Sequence, residues 1–181
     1  MLYEEKHITL KDGQAALLRS PKSGDGASLL SHLLTCYDES DYLLNYPEEV
    51  TFTEKEEEVF INMTNDSATS MMVVCVINET ITGCAMLTMN NRLKTKHRGE
   101  LAISVQKQYW GLGIGTALMN ALIETAREKG LLQLELGVFA DNERALALYE
   151  KMGFYATGTY LNAYILKDGS VHDEFFMIKP L

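Results

Sequence analysis

Apolar and polar positions follow two periods along this chain, and the switches between them predict its elements. Residues 7–10 and 15–19 read as short strands, joined by Lys11-Asp12-Gly13, a hairpin-type turn signal. Over residues 23–36, Ala27, Leu29, Leu30, Leu33 and Leu34 recur at helical spacing. Residues 37–50 are acidic and aromatic without a period and read as a loop. Thr53 with Glu56 three residues on forms a capping box, so a second helix is predicted to about Thr64. The early glutamates of that helix suit its positive end. Residues 71–77 are apolar throughout, which predicts a strand buried on both faces, and residues 80–90 its partner beyond Asn78-Glu79.

The second half is more regular. Residues 100–105 read as a strand, and residues 114–129 as an amphipathic helix stopped by Gly130. Leu132, Leu134, Leu136 and Val138 alternate along a further strand. Residues 141–152 form a helix with Ala145, Leu148, Tyr149 and Met152 on one stripe. Residues 154–166 and 171–179 close the chain as strands around Lys167-Asp168-Gly169. The order is α/β (α+β), with strand pairs at both ends, and no linker divides it. A single domain over residues 1–181 is expected.

The charge narrows the function. With 16 Lys and Arg against 25 Asp and Glu, the formal charge is −9. That sum disfavours nucleic acid, which needs a basic footprint, and an anionic membrane surface. The N-terminus lacks a basic start and an apolar stretch, so no secretory leader is expected. The longest apolar run is too short to span a bilayer. Cys36, Cys75 and Cys84 have no metal-ligand spacing and read as small buried hydrophobes in a reducing, cytoplasmic setting. The four histidines (His7, His32, His97 and His172) are scattered, and no metal site is expected.

Chemistry concentrates at Trp110-Gly111-Leu112-Gly113-Ile114-Gly115-Thr116, between a strand and the start of a helix. Glycines let backbone N–H groups approach a ligand, and a helix N-terminus adds free donors suited to a phosphate. A dinucleotide fingerprint starting at Gly111 needs glycine where Thr116 stands, and a nucleotide P-loop needs Gly-Lys-Ser/Thr. Both patterns fail. Downstream comes Asn142-Glu143-Arg144-Ala145-Leu146-Ala147-Leu148-Tyr149-Glu150-Lys151-Met152-Gly153-Phe154.

These two segments resemble the paired signatures of the GNAT superfamily of N-acetyltransferases. The loop matches Gln/Arg-x-x-Gly-x-Gly/Ala at Gly113 and Gly115, with Trp110 where the family usually has Gln or Arg. The second segment matches Asn-x-x-Ala-x-x-Leu-Tyr-x-x-x-Gly-Phe. The resemblance is close over residues 99–156 and implies a mixed, mostly antiparallel sheet of six to seven strands with about four helices. It implies acetyl-CoA as cosubstrate and a primary amine as acceptor, attacked directly without a Ser or Cys nucleophile. Pyrophosphate would rest on the N–H groups from Gly111 to Thr116 and the pantetheine arm on Ile103-Ser104-Val105, with the thioester carbonyl polarised near Val105. Tyr149 is the matched acid for the leaving thiolate, and Asn142 would touch the pantetheine arm. A homodimer is left open.

The residues themselves offer Glu100, at the head of its strand, as a base acting alone or through a water. On an unbulged strand it shares a face with Ala102 and Ser104; a bulge would change that face. Bulk solvent is the alternative base. The resemblance implies an acceptor site built from residues 37–58 and 160–174, where Asp38, Glu39, Asp41, Glu48, Glu49, Asp173 and Glu174 would form an acidic mouth for a small cationic amine such as a polyamine, an aminoglycoside or a peptide N-terminus. The rival readings are a non-catalytic acyl-CoA-sensing or partner-binding module on the same fold, and a nucleotide-binding regulatory domain.

Overall fold

The alternating runs assemble into one sheet in the computed structural model, which describes all 181 residues. The strands are β1 (Lys6–Thr9), β2 (Ala15–Arg19), β3 (Ser70–Ile77), β4 (Thr80–Met89), β5 (Arg98–Val105), β6 (Gln133–Phe139), β7 (Tyr155–Ile165) and β8 (Val171–Pro180). The helices are α1 (Gly26–Glu39), α2 (Glu54–Asp66), α3 (Ile114–Glu128) and α4 (Glu143–Lys151). Spatial order is β1-β2-β3-β4-β5-β6-β8-β7, with every pairing antiparallel except β5 with β6. The sheet therefore has eight strands where six to seven were expected, since the short β1–β2 hairpin pairs onto β3.

β3 is apolar throughout because helices cover both its faces. α3 and the stripe of α4 bury Met71, Val73, Leu101, Leu118, Leu122, Leu136 and Val138 on one side. On the other side α1 and α2 bury Leu29, Ile61, Met72, Val74, Ile81 and Cys84. The capping box of α2 forms: Thr53 N–H donates to Glu56 Oε2 at 2.7 Å, and Glu56 N–H donates to Thr53 Oγ1. α1 begins at Gly26 rather than at residue 23, because Gly24 turns the chain at φ +94. It then runs past residue 36 to Glu39, and a short 3-10 turn (Pro47–Glu49) interrupts the expected loop. All three cysteines are free and buried. No helix is long and apolar enough to cross a membrane.

The feature that positions the site is the β5–β6 pairing. It holds only from Arg98↔Gln133 to Glu100↔Glu135, and the strands then part. β5 remains paired with β4 as far as Val105↔Gly83, and β6 with β8 as far as Phe139↔Glu174.

Candidate functional site

Beyond Glu100 the parted strands open a cleft of about 1250 Å³. The alternation of an antiparallel ladder decides what β5 offers it. Gln106 N–H donates to Thr82 C=O, so even-numbered residues of β5 bond to β4. Odd-numbered residues therefore face β6: Leu101 N–H closes the last rung to β6, while the Leu101 C=O, both peptide groups of Ile103 and the N–H of Val105 turn toward the opening. β5 runs unbulged, so Glu100, Ala102 and Ser104 share the face toward α1 and α2, as expected for a regular strand.

The glycine loop closes the far end. Gly111 and Gly113 have φ of +80 and +98, a region costly for residues with a Cβ. The first helical bond of α3 runs from Ala117 N–H to Gly113 C=O at 3.0 Å. The N–H groups of Ile114, Gly115 and Thr116 are left without helical partners at the positive end of α3. Gly115 is needed for space, since a Cβ there would meet Leu148 Cδ2 of α4 at 3.1 Å. Trp110 donates from its indole Nε1 to Val105 C=O at 2.7 Å, and the Arg144 guanidinium stacks over its ring. Leu112 does not line the cleft: its carbonyl accepts from Lys11 N–H at 3.1 Å, and its side chain packs on the core.

From the α4 side Tyr149 reaches the cleft. It is only 8% exposed, yet its hydroxyl makes no hydrogen bond within the protein. Burial pushes its pKa up to about 12. Asn142 caps α4 by accepting from Ala145 N–H at 3.1 Å, which leaves its amide nitrogen free toward the cleft.

The opposite face of the sheet holds residues of a different kind. Ser104 Oγ is tied to Nε2 of the fully buried His32 at 2.9 Å, and burial lowers the His32 pKa to about 4. Phe139 stacks on Tyr164 at 4.0 Å between centroids and meets the edge of Tyr42. The Glu174 side chain crosses Gly137 and accepts from Tyr164 O–H at 2.6 Å. Burial, and then Glu174, pushes the Tyr164 pKa up to about 12. Glu100 stands exposed where the strands part.

The cleft thus brings together Glu100, Ile103, Ser104, Val105, Trp110, Gly111, Gly113, Ile114, Gly115, Thr116, Asn142 and Tyr149. The expected acidic mouth is narrower: of its seven carboxylates only Glu39 and Glu174 line the cleft. Glu48 pairs with Lys167, Glu49 accepts from Tyr46 N–H and Asp173 from Asn162 N–H, so local contacts consume them. Glu39 itself accepts from Lys107 N–H at 2.6 Å. Arg144 and Phe139 carried no sequence signal for a site, whereas Tyr42 and Tyr164 fall in the segments 37–58 and 160–174 that the resemblance assigns to the acceptor. Arg144 lay inside a recognised segment at a variable position, and the aromatics come from three separate elements.

The family model described as Acetyltransferase (GNAT) family matches residues 30–154. An L-amino acid N-acetyltransferase from Escherichia coli K12 is 29% identical over 60% of this chain and 66% of its own length. The ribosomal protein bS18-alanine N-acetyltransferase of Escherichia coli is 37% identical over 44% of this chain and 53% of its own length. The chain thus spans about half to two thirds of those curated relatives. Similarity to a solved GNAT acetyltransferase from Streptococcus pneumoniae extends further, with 29% identity, a TM-score of 0.86, and 92% and 99% of the two chains covered. A splayed β5–β6 pair, free amides at the start of α3 and a matching family model over most of the chain agree: this protein belongs to the GNAT acetyltransferase family.

Proposed function

We propose that residues 1–181 act as one domain that transfers an acetyl group from acetyl-CoA to a small cationic primary amine. The observation that carries this reading is the line of peptide groups without ladder partners, the N–H and C=O of Ile103 and the N–H of Val105, that leads along β5 to the amides that begin α3. An extended arm carrying amides at one end and phosphates at the other matches that line in shape and polarity. Lys11, Arg144 and Lys151 add positive charge around it.

Transfer needs few protein groups. The amine nitrogen attacks the thioester carbonyl, the N–C bond forms, and the C–S bond breaks. The N–H of Val105 is the preorganised donor for the carbonyl oxygen, worth ~3 kcal/mol in the transition state. The thiolate leaves toward Tyr149, whose unpartnered hydroxyl is free to donate. With its pKa at about 12, this phenol is a weak acid toward a thiol near 8.5, so its main contribution is a hydrogen bond to sulfur. The ammonium proton departs before attack, through water at Glu100 to solvent, and the second nitrogen proton, acidified once the N–C bond forms, ends on the departing thiolate to give the free thiol. A non-catalytic acyl-CoA sensor would have no use for that hydroxyl.

The test has two parts. Thermal shifts with CoA, NAD and ATP should show stabilisation by CoA alone. Release of free thiol from acetyl-CoA should require an added amine. Stabilisation by ATP or NAD without CoA would sink the reading.

A further inference from the structure

The two halves of the cleft differ in charge. Its three cations lie on the donor side. Arg144 stacks on Trp110. Lys11 lies beside Gly113, and Lys151 one turn beyond Leu148, which packs on Gly115. Glu143 adjoins Arg144 at the start of α4, and the cleft's other carboxylates, Glu39, Glu100, Asp141 and Glu174, lie on the half facing α1 and α2, with no Lys, Arg or His lining residue beside them. His172 stands just outside, with both ring nitrogens engaged by Asp141 and Ser170 at 2.8 Å.

Within that half, Glu174 is the carboxylate the fold has prepared. Gly137 makes room for it: a Cβ at Gly137 would collide with Glu174 Oε1 and lie 2.9 Å from its Cδ. The backbone at Gly137 needs no left-handed conformation, so glycine is required there only for space. Tyr164 holds one carboxylate oxygen at 2.6 Å and leaves the other without a protein partner. Phe139 stacks behind Tyr164, and Tyr42 closes the side. Across the opening, the register of β6 against β5 sets Gly137 level with Ala102, midway along the unpaired edge.

We propose that Glu174, presented over Gly137 and oriented by Tyr164, receives the acceptor's ammonium, and that the acceptor carries no carboxylate beside its amine. This rests on the acetyltransferase reading above and narrows its acceptor class. A free amino acid would bring its carboxylate among Glu100, Asp141 and Glu174 with no cation to meet it, and like charges at close range repel strongly. A peptide N-terminus and a polyamine share the permitted chemistry, an amine without an adjacent carboxylate. Tyr164 is a positioning residue, since it acts through Glu174.

The experiment measures thiol release with L-alaninamide, L-alanine, an alanyl tripeptide amide and spermidine, alongside CoA affinity by calorimetry. Alaninamide should exceed alanine by at least ~10-fold when kcat/KM is expressed per neutral amine, a correction needed because removing the carboxylate also lowers the amine pKa. Glu174→Gln should raise the amine KM by ~10–100-fold, with CoA affinity unchanged and the salt dependence of KM lost. Glu174→Asp should recover part of that loss. Tyr164→Phe should raise KM less, by ~3–10-fold, without lowering kcat. Gly137→Ala, which displaces the carboxylate without removing it, provides an independent check and should raise KM as well. Preference between the tripeptide amide and spermidine separates the two sources. An unchanged KM in Glu174→Gln, or alanine as good as its amide, overturns this inference and leaves the transferase reading standing. If the wild-type protein binds CoA but acetylates no amine, both fall.

Discussion

Arg144 stacks over Trp110, its guanidinium carbon 4.3 Å from the ring centroid, while the same indole donates to Val105 C=O. One aromatic side chain thus links β5, the glycine loop and the first turn of α4. It also returns a guanidinium to the loop at which the family usually places Gln or Arg. Arg144→Ala and Trp110→Ala should each weaken CoA binding by ~5–30-fold. The double variant should fall short of the product, with a coupling of ~0.5–2 kcal/mol. Calorimetric titration of CoA into the four proteins reads the cycle.

Two glycines in the loop should fail differently. Gly113 sits at φ +98 with nothing closer to an added Cβ than Lys11 Cγ at 3.8 Å, so Gly113→Ala costs backbone strain of ~1–2 kcal/mol. For a chain of this size that lowers Tm by ~2–8 °C. Gly115→Ala has no such strain, but its Cβ meets Leu148 Cδ2 at 3.1 Å. It should shift α4 and weaken CoA binding at nearly constant Tm. Differential scanning calorimetry beside CoA titration separates the two.

Tyr149→Phe removes a largely buried hydroxyl that reaches the cleft without a protein partner. Turnover should fall by ~10–100-fold, the modest range for a weak acid, while CoA affinity stays within about twofold. Because burial holds the Tyr149 pKa near 12, the pH–rate profile should rise with amine deprotonation and show no falling limb from this group below pH ~11. A falling limb near pH 9 that Tyr149→Phe abolishes would contradict that assignment.

His32 sets a pH limit on stability. Burial lowers its pKa from 6.5 to about 4. Below pH 6.5 the unfolded chain takes up a proton that the folded chain refuses until about pH 4. The unfolded state therefore binds more protons across that window, and stability falls as pH drops through it, by about 3 kcal/mol at the lower end. Above pH 6.5 this group contributes no slope. Urea unfolding between pH 7 and 4 should show the loss, and His32→Asn should flatten it. An unchanged slope in the variant would place the effect elsewhere.

The donor half of the site was legible because its signals are local. Gly111, Gly113 and Gly115 lie within five residues, and the stripe of α4 announces Leu148 and Tyr149 by helical spacing. The acceptor half was legible only as the segments 37–58 and 160–174 and as Glu174 among seven carboxylates; its geometry was not, because Gly137, Phe139, Tyr164 and Glu174 meet only once β8 has paired between β6 and β7. A register shift between Tyr160 and Tyr164, with Asn162 at φ +53, aims Tyr164 at Glu174. No residue spacing anticipates a bulge. Charge counting misled for a related reason. Glu48 and Asp173 look like free carboxylates in sequence but are engaged by Lys167 and the Asn162 amide.

Three residue pairs between β5 and β6 are the only direct ladder joining five strands to the other three. Mechanically the sheet is two leaves on a short hinge, and a ligand laid along the open edge of β5 works as a splint. Rigidity in that region is then supplied by the substrate. Amide hydrogens of Ile103 and Val105 should exchange freely in the empty protein and become protected with CoA, while those of β3, walled in on both faces, should not change. Each product release would restore a looser molecule, so the splint is lost and remade with every turnover.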